Sequence, residues 1–280
     1  MSHNFSIYLL RCLTNLHVGS GEGNLGIIDK EVERDPITHY PMIYSSGLKG
    51  AIRAIYPDDF KEEIFGHSKG SKDLKAGTIK FLDAHLLAIP MRASAGNQSS
   101  YLVTTKTMLA NYLRFCSIAG EVVDNLEQVR QDLESLTDTQ SYKFSSEREI
   151  GVEGIVVNNH LNDKPNLTDF LSQLLQRELA GSQSLIILSE NHFRQYQLPV
   201  RARNKIKKFK GDNNNLWYEE HVPYGSIFYT GFIYNGEQGS EDAADYLGFL
   251  EKEINDLPYI QIGANETIGF GMVKFTKKEF

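Results

Sequence analysis

At 280 residues, with 41% hydrophobic and 23% charged, the chain can bury a sizeable core and is too apolar to be disordered. A net charge of −7 argues against a uniformly basic nucleic-acid binder, and no run of about 18 apolar residues suggests a membrane span. Cys12 and Cys116 lack CxxC spacing, so neither zinc nor a disulfide framework is indicated and a cytoplasmic setting is expected.

Residues 5–12 set Phe5, Ile7 and Leu9 against Ser6, Tyr8 and Leu10, which reads as a first strand. The start, MSHNFSIYLLRCL, has no basic lead or small-residue cleavage site and does not read as a signal peptide. A loop follows in which Gly19, Gly21, Gly23 and Gly26 fall within eight residues, too dense for a helix or strand interior. It closes at Asp29, after Ile27 and Ile28. Ser45 and Ser46 then precede Gly47-Leu48-Lys49-Gly50-Ala51-Ile52-Arg53, read as an N-capped helix over about 48–56. Free amides at a helix start, with Lys49 and Arg53 nearby, suit a phosphate.

A short helix over 58–65 ending at Gly66 and a strand over 78–88 are expected next. Helices are expected over 104–119, 122–136 and 168–180, with the polar stretch 137–166 as a loop or small lid. Arg201, Arg203, Lys205, Lys207, Lys208 and Lys210 place six cations in ten residues. They lead through Gly211-Asp212-Asn213-Asn214-Asn215 into Leu216-Trp217-Tyr218-Glu219-Glu220-His221, a pattern for a long basic hairpin with a polar tip. Residues 227–234 read as a strand, 241–254 as a helix, and 259–262 and 272–275 as strands around a second glycine-rich loop, Gly263 to Gly271.

The order β-α-β, insertion, β-α-β predicts an α+β fold with a ferredoxin-like, RRM-like core. Residues 1–88 and 226–280 would form that core, 89–197 a mostly helical insertion or lid, and 198–225 the protruding hairpin. P-loop, HExxH and GxSxG patterns are absent, and the eight histidines are scattered.

Taken together, His17-Val-Gly-Ser-Gly, Gly26-Ile-Ile-Asp29, the Ser-Ser-Gly-Leu-Lys-Gly stretch and Ile262 to Gly271 resemble the RAMP superfamily of CRISPR proteins. Leu216 to Pro223 and the turn Pro90 to Ser94 are similar to the repeated backbone subunit of type III-B (Cmr) RNA-targeting complexes. The resemblance implies a helical filament of copies along a CRISPR guide RNA, with other Cmr subunits as partners and no membrane. It implies a thumb hairpin that interrupts the guide–target duplex, and metal-dependent cleavage of single-stranded target RNA at regular intervals. Asp29 then stands at the catalytic and metal-contacting position, with His17, Glu219 and His221 as further catalytic candidates. His221 replaces a tyrosine found in relatives. Guide-RNA contacts would come from Ser45, Ser46, Lys49, Arg53, Gly263, Asn265, Arg201, Arg203 and Lys205. The expected cofactor is Mg2+ or another divalent cation, loosely held, because one aspartate alone makes a poor metal site.

Each residue also has a plainer reading. Asp29 suits a loop cap or a partner for Lys30 or Arg34, His17 a structural hydrogen bond, Ser46 an N-cap and Glu219 a salt bridge to the basic strand. Two other functions stay open at this point: a non-catalytic guide-binding backbone, and a standalone endoribonuclease that processes guide transcripts.

Overall fold

In the computed structural model, residues 5–21, 27–57, 59–67, 75–120, 123–177, 184–205, 215–234 and 243–278 are described. Strand β1 (Phe5–Cys12) is buried along nearly its whole length, so both of its faces must be covered. After it come β2 (Met42–Ile43), α1 (Ser45–Ile55), α2 (Lys61–Phe65), β3 (Ile79–Phe81) and β4 (Ala84–Ala95). Strand β5 (Ser100–Thr105) runs straight into α3 (Lys106–Ile118), whose start is capped by Thr105 accepting from the Met108 amide at 3.2 Å. Next are α4 (Leu126–Glu134), β6 (Tyr142–Phe144), β7 (Ile150–Val152), β8 (Ile155–Val157), β9 (Asn159–His160), α5 (Pro165–Arg177), β10 (Leu185–Leu188) and α6 (Glu190–Phe193). The chain ends with β11 (Val200–Lys205), β12 (Asn215–Glu220), β13 (Ile227–Tyr234), α7 (Ala243–Asp256), β14 (Ile260–Gln261) and β15 (Met272–Lys277).

One large mixed sheet runs β14-β15-β1-β13-β4-β5-β10-β6-β9, with β2, β3, β7 and β8 attached beside it. Alternation along β1 divides the core in two. Tyr8, Leu10 and Cys12 pack with Leu48 and Ile52 of α1 and Leu247 and Leu250 of α7. Ile7 and Leu9 pack with Leu109 and Leu113 of α3, Val129 of α4 and Leu171 of α5. Helices therefore cover both faces of the sheet, and each buried Leu or Ile contributes about 1.5–3 kcal/mol. Among the described residues no helix is long and apolar enough to cross a membrane.

Three expectations need correction. The strand expected over 78–88 is two, β3 and β4, both paired with β13. Between them Leu82 and Asp83 leave the ladder, which carries Asp83 onto the start of α1, where it accepts the Ser45 amide at 2.6 Å. The stretch 137–166 is not simply a loop: β6 to β9 lie in it, and β6 pairs with β10 through a fully buried Lys143. Its polar side chains hide strands too short to show alternation. The segment after β4 thus carries its expected helices but also extends the sheet, rather than standing off as a helical lid.

Candidate active site at the hairpin base

Strands β11 and β12 pair antiparallel from Val200↔Glu220 to Lys205↔Asn215, as a two-stranded ribbon apart from the main sheet. The tip, with Lys207, Lys208 and Lys210, lies outside the described residues, as do Gly23 and Gly26. For Lys205 only the backbone is described.

The outer edge of β12 is taken by the segment carrying Asp29. The amides of Asp29 and Lys30 both donate to the Tyr218 carbonyl at 3.1 Å, and the Glu220 amide donates to the Lys30 carbonyl at 2.9 Å. Lys30 and Glu219 form a parallel bridge. Asp29 completes the junction by accepting the Tyr218 amide on Oδ2 at 2.7 Å. The residue is exposed, and among the described residues its other carboxylate oxygen has no hydrogen bond. Lys30 lies with Nζ 5.5 Å from the Trp217 ring centre.

Successive residues of β12 face opposite ways, and both faces are covered at its base. Glu219 is 1% exposed and gathers three elements. Its Oε2 accepts from Arg203 Nε at 3.1 Å, and its Oε1 accepts from Asn265 Nδ2 at 2.6 Å and lies 3.5 Å from His17 Nε2. Glu220, also buried, accepts the Val32 amide at 3.1 Å and the Arg34 guanidinium. His17 is buried, and its Nδ1–H donates to the Glu220 carbonyl at 2.6 Å. A carbonyl can only accept, so Nδ1 carries a proton and the ring is turned with Nε2 toward the Glu219 carboxylate.

The two glycine-rich loops do meet here. The Ala264 amide donates to the His17 carbonyl at 2.9 Å. Gly263 sits at φ +76°, and a Cβ there would come within 2.3 Å of that carbonyl. The approach thus requires glycine. Asn265, at φ 69°, begins the turn that returns the chain to β15.

His221 is buried beside Phe270, with ring centres 5.7 Å apart. Burial, then Arg201 and Arg203 nearby, pushes its pKa down to about 4, so the ring is neutral at pH 7. Its Nδ1, Arg203 Nη2 and Trp217 Nε1 are buried with no partner among the described residues. Arg201 and Arg203 hold their guanidinium carbons 5.3 and 4.8 Å from the Phe270 ring centre.

The second cluster, on α1, is separate in structure and differs from the sequence expectation. The helix starts at Ser45 itself, with Tyr44 as N-cap, and neither serine caps it. The Tyr44 amide donates to Glu33 Oε2 at 2.9 Å and the Ser45 amide to Asp83, so protein carboxylates satisfy these two amides. Burial and the nearby Asp83 charge raise the pKa of Glu33. Lys49 is half-buried with Nζ 5.9 Å from the Phe81 ring centre, while Arg53 donates to the Gly66 carbonyl at 2.7 Å.

Glu220, Glu33, Asp83 and Phe270 are given no role by the sequence pattern, and Arg34, offered there as a partner for Asp29, pairs with Glu220 instead. The Glu-Glu doublet was the available signal, since adjacent acids on a strand need partners on both faces. Among the described residues, no group of three His, Cys, Asp or Glu is placed to hold a metal ion.

Residues 9–274 match the family model described as RAMP superfamily. The chain is 29% identical to the CRISPR system Cmr endoribonuclease Cmr4 of Pyrococcus furiosus, covering 96% of this chain and 94% of that protein. It is 25% identical to the CRISPR system CMR subunit Cmr4 of Saccharolobus solfataricus, covering 95% and 94%. A chain in the cryo-EM structure of the Type III-B Cmr-beta bound to cognate target RNA superposes with TM-score 0.77 at 25% identity, covering 98% and 96%.

Proposed function

The chain belongs to the RAMP superfamily, and we propose that it is the repeated backbone subunit of a type III-B CRISPR ribonucleoprotein, holding guide RNA and cutting complementary target RNA at regular intervals. Its partners are guide RNA, single-stranded target RNA, further copies of the chain and other Cmr subunits. The observation that carries the catalytic part is Asp29, an exposed carboxylate held on the outer edge of the hairpin base with one oxygen uncommitted among the described residues.

RNA breaks when the ribose 2′-OH attacks the adjacent phosphorus in line with the 5′-oxygen leaving. A hairpin that displaces a base pair loosens the backbone toward that geometry. We read the β11–β12 ribbon as this thumb, supported by its separation from the main sheet. Asp29 orients the 2′-OH and accepts its proton. His17 and Glu219 are buried, so their part is to fix the loop that carries the acid, not to touch RNA. His221, neutral at pH 7, supplies no extra proton and acts with Phe270 as packing at the ribbon base.

A divalent cation, Mg2+ or another, would meet Asp29 and supply charge neutralisation at the phosphate, with RNA oxygens completing its shell. The described side chains form no closed site for it, so no step here runs through the ion. Guide contacts fall to Lys49, with Ser45, Ser46 and Arg53 beside it, and to Gly263, Asn265, Arg201, Arg203 and Lys205 around the hairpin base.

We also read β1, β3–β4, β13 and β15, with α1 and α7, as a ferredoxin-like core over 1–88 and 226–280. The antiparallel neighbours β15-β1-β13-β4 support this. Residues 89–197 then form the insertion and 198–225 the thumb.

The test is to assemble the complex with guide and target RNA and map cuts for the unaltered chain and Asp29→Asn. Normal particles with the cuts gone support the reading. Unchanged cutting leaves a backbone that only binds guide. Cleavage of guide precursor by the isolated chain would favour the processing enzyme instead.

A further inference from the structure

Beside the hairpin base lies an open recess of about 290 Å3 whose walls come from four separate stretches of chain. Leu13, Thr14 and Asn15 follow β1, Tyr224 stands on the turn before β13, and Ile268 to Phe270 belong to the second glycine-rich loop. Arg201 of β11 closes the remaining side.

Three large apolar side chains around this recess face solvent: Leu13, Ile268 and Tyr224, the last 68% exposed. Exposed apolar groups scattered singly need no explanation, but three gathered around one cation do. Arg201 is exposed, and among the described residues it is Arg203, not Arg201, that pairs with the Glu219 carboxylate. It rests on the face of Phe270, which keeps its guanidinium at the rim.

The recess is rigid. The Tyr224 amide donates to Asn15 Oδ1 at 3.0 Å, and the Gly225 amide to the Cys12 carbonyl at 2.7 Å. The Leu13 amide donates to the Met272 carbonyl at 2.8 Å, and the Gly271 amide to the Asn15 carbonyl at 2.8 Å. Tyr224 is therefore an exposed ring on a turn pinned at two points. A phenol costs little conformational entropy to immobilise, so it is suited to stacking.

We propose that this recess receives one unstacked nucleobase of the bound RNA, with Tyr224 as stacking platform, Leu13 and Ile268 as apolar walls and Arg201 against the neighbouring phosphate. The inference rests on the RNA-binding reading above and adds a base-contact site to it. Aromatic ring, apolar walls and a cation at the rim are what an extruded base and its phosphate require. The volume, about 290 Å3, falls just below the roughly 300–1,000 Å3 range of small-ligand sites, which suits a single base rather than a duplex. The recess also adjoins the candidate active site, because Asn265, on the loop that supplies Ile268, holds Glu219 at 2.6 Å. The other occupant such a surface could take is a second copy of the chain. Arg201, held on the Phe270 face beside an exposed tyrosine ring, is a local cation suited to a phosphate next to a stacked base, which favours RNA.

The test places 2-aminopurine at successive positions of the guide and, separately, of the target, in complexes with the full-length chain. The expected result is a quenched position in one strand that brightens with Tyr224→Ala and Tyr224→Leu but stays quenched with Tyr224→Trp. Which strand responds tells whether the base belongs to guide or target. Affinity of the full chain for single-stranded RNA should fall about 5- to 100-fold with Tyr224→Ala. No position that responds to Tyr224→Ala, in either strand, overturns the proposal. So does loss of copy-to-copy assembly without RNA, which would make the recess a protein interface. Target cutting by the unaltered chain is scored in the same reactions: its absence removes the nuclease reading, while the fluorescence decides the base site separately.

Discussion

Asn265 and Glu219 share a hydrogen bond of 2.6 Å although 46 residues separate them. One belongs to the second glycine-rich loop and the other to the base of the hairpin, so this bond ties the C-terminal end of the core to the ribbon. Because Glu219 is buried, the bond matters more than it would on the surface. Asn265→Ala is expected to lower stability by about 1–3 kcal/mol. Asn265→Asp should cost more, since it sets a second carboxylate against Glu219. Thermal unfolding of the three chains ranks them, and equal melting temperatures would show that the bond is idle.

Asp29→Asn keeps an oxygen that can accept the Tyr218 amide, so folding and assembly should persist. Target cutting should drop by at least about 100-fold, the lower range for loss of a general base. Mapped cleavage products, set against particle yield, separate chemistry from assembly.

His221 gives a pH dependence of defined sign. Its native pKa, about 4, lies below the ordinary 6.5, so the unfolded chain binds the proton more readily. The stability of the neutral buried ring is fully present above about pH 6.5 and is lost as pH falls toward 4. The loss attributable to this residue is at most about 3 kcal/mol. His221→Tyr should flatten the stability curve across that window, measured by denaturant unfolding from pH 7 to pH 4. An unchanged slope would remove His221 as its source.

Gly263→Ala sets a Cβ within 2.3 Å of the His17 carbonyl at a φ that L residues rarely adopt. A loss of more than about 2 kcal/mol is expected, with target cutting falling in parallel because the His17 loop must shift. Wild-type stability in this variant would mean the two glycine loops are not in contact in solution.

Lys49→Ala should weaken RNA binding across sequences and reduce the salt slope by about one unit, as expected for one phosphate contact. Protein carboxylates take the Tyr44 and Ser45 amides at the start of α1, so the Lys49 side chain supplies positive charge that those two amides do not. Binding titrations at several salt concentrations decide it.

Much of this arrangement was legible in the chain. The first strand, the hairpin pattern and the closing strands follow alternation, and the two glycine-rich loops pointed to one face. Asp29 stood out through the family resemblance, because by type alone it suits a loop cap or an ion pair equally well. What escaped notice depended on partners remote in sequence. Ser45 and Ser46 look like caps by type, yet Asp83 and Glu33 do that work from a bulge and a neighbouring segment. The strands β6 to β9 are two or three residues long, below the length at which period two can be recognised. The role of Glu220 depends on Val32 and Arg34, 188 and 186 residues earlier, and no local pattern in the sequence marks that pairing.

The junction between the Asp29 segment and β12 has a mechanical consequence. Backbone bonds at Tyr218 and Glu220 and the Asp29 carboxylate join acid and ribbon along one edge. A force on the ribbon therefore reaches the carboxylate without passing through the core. On the proposed reading, an RNA strand that displaced the ribbon would move the Asp29 carboxylate with it.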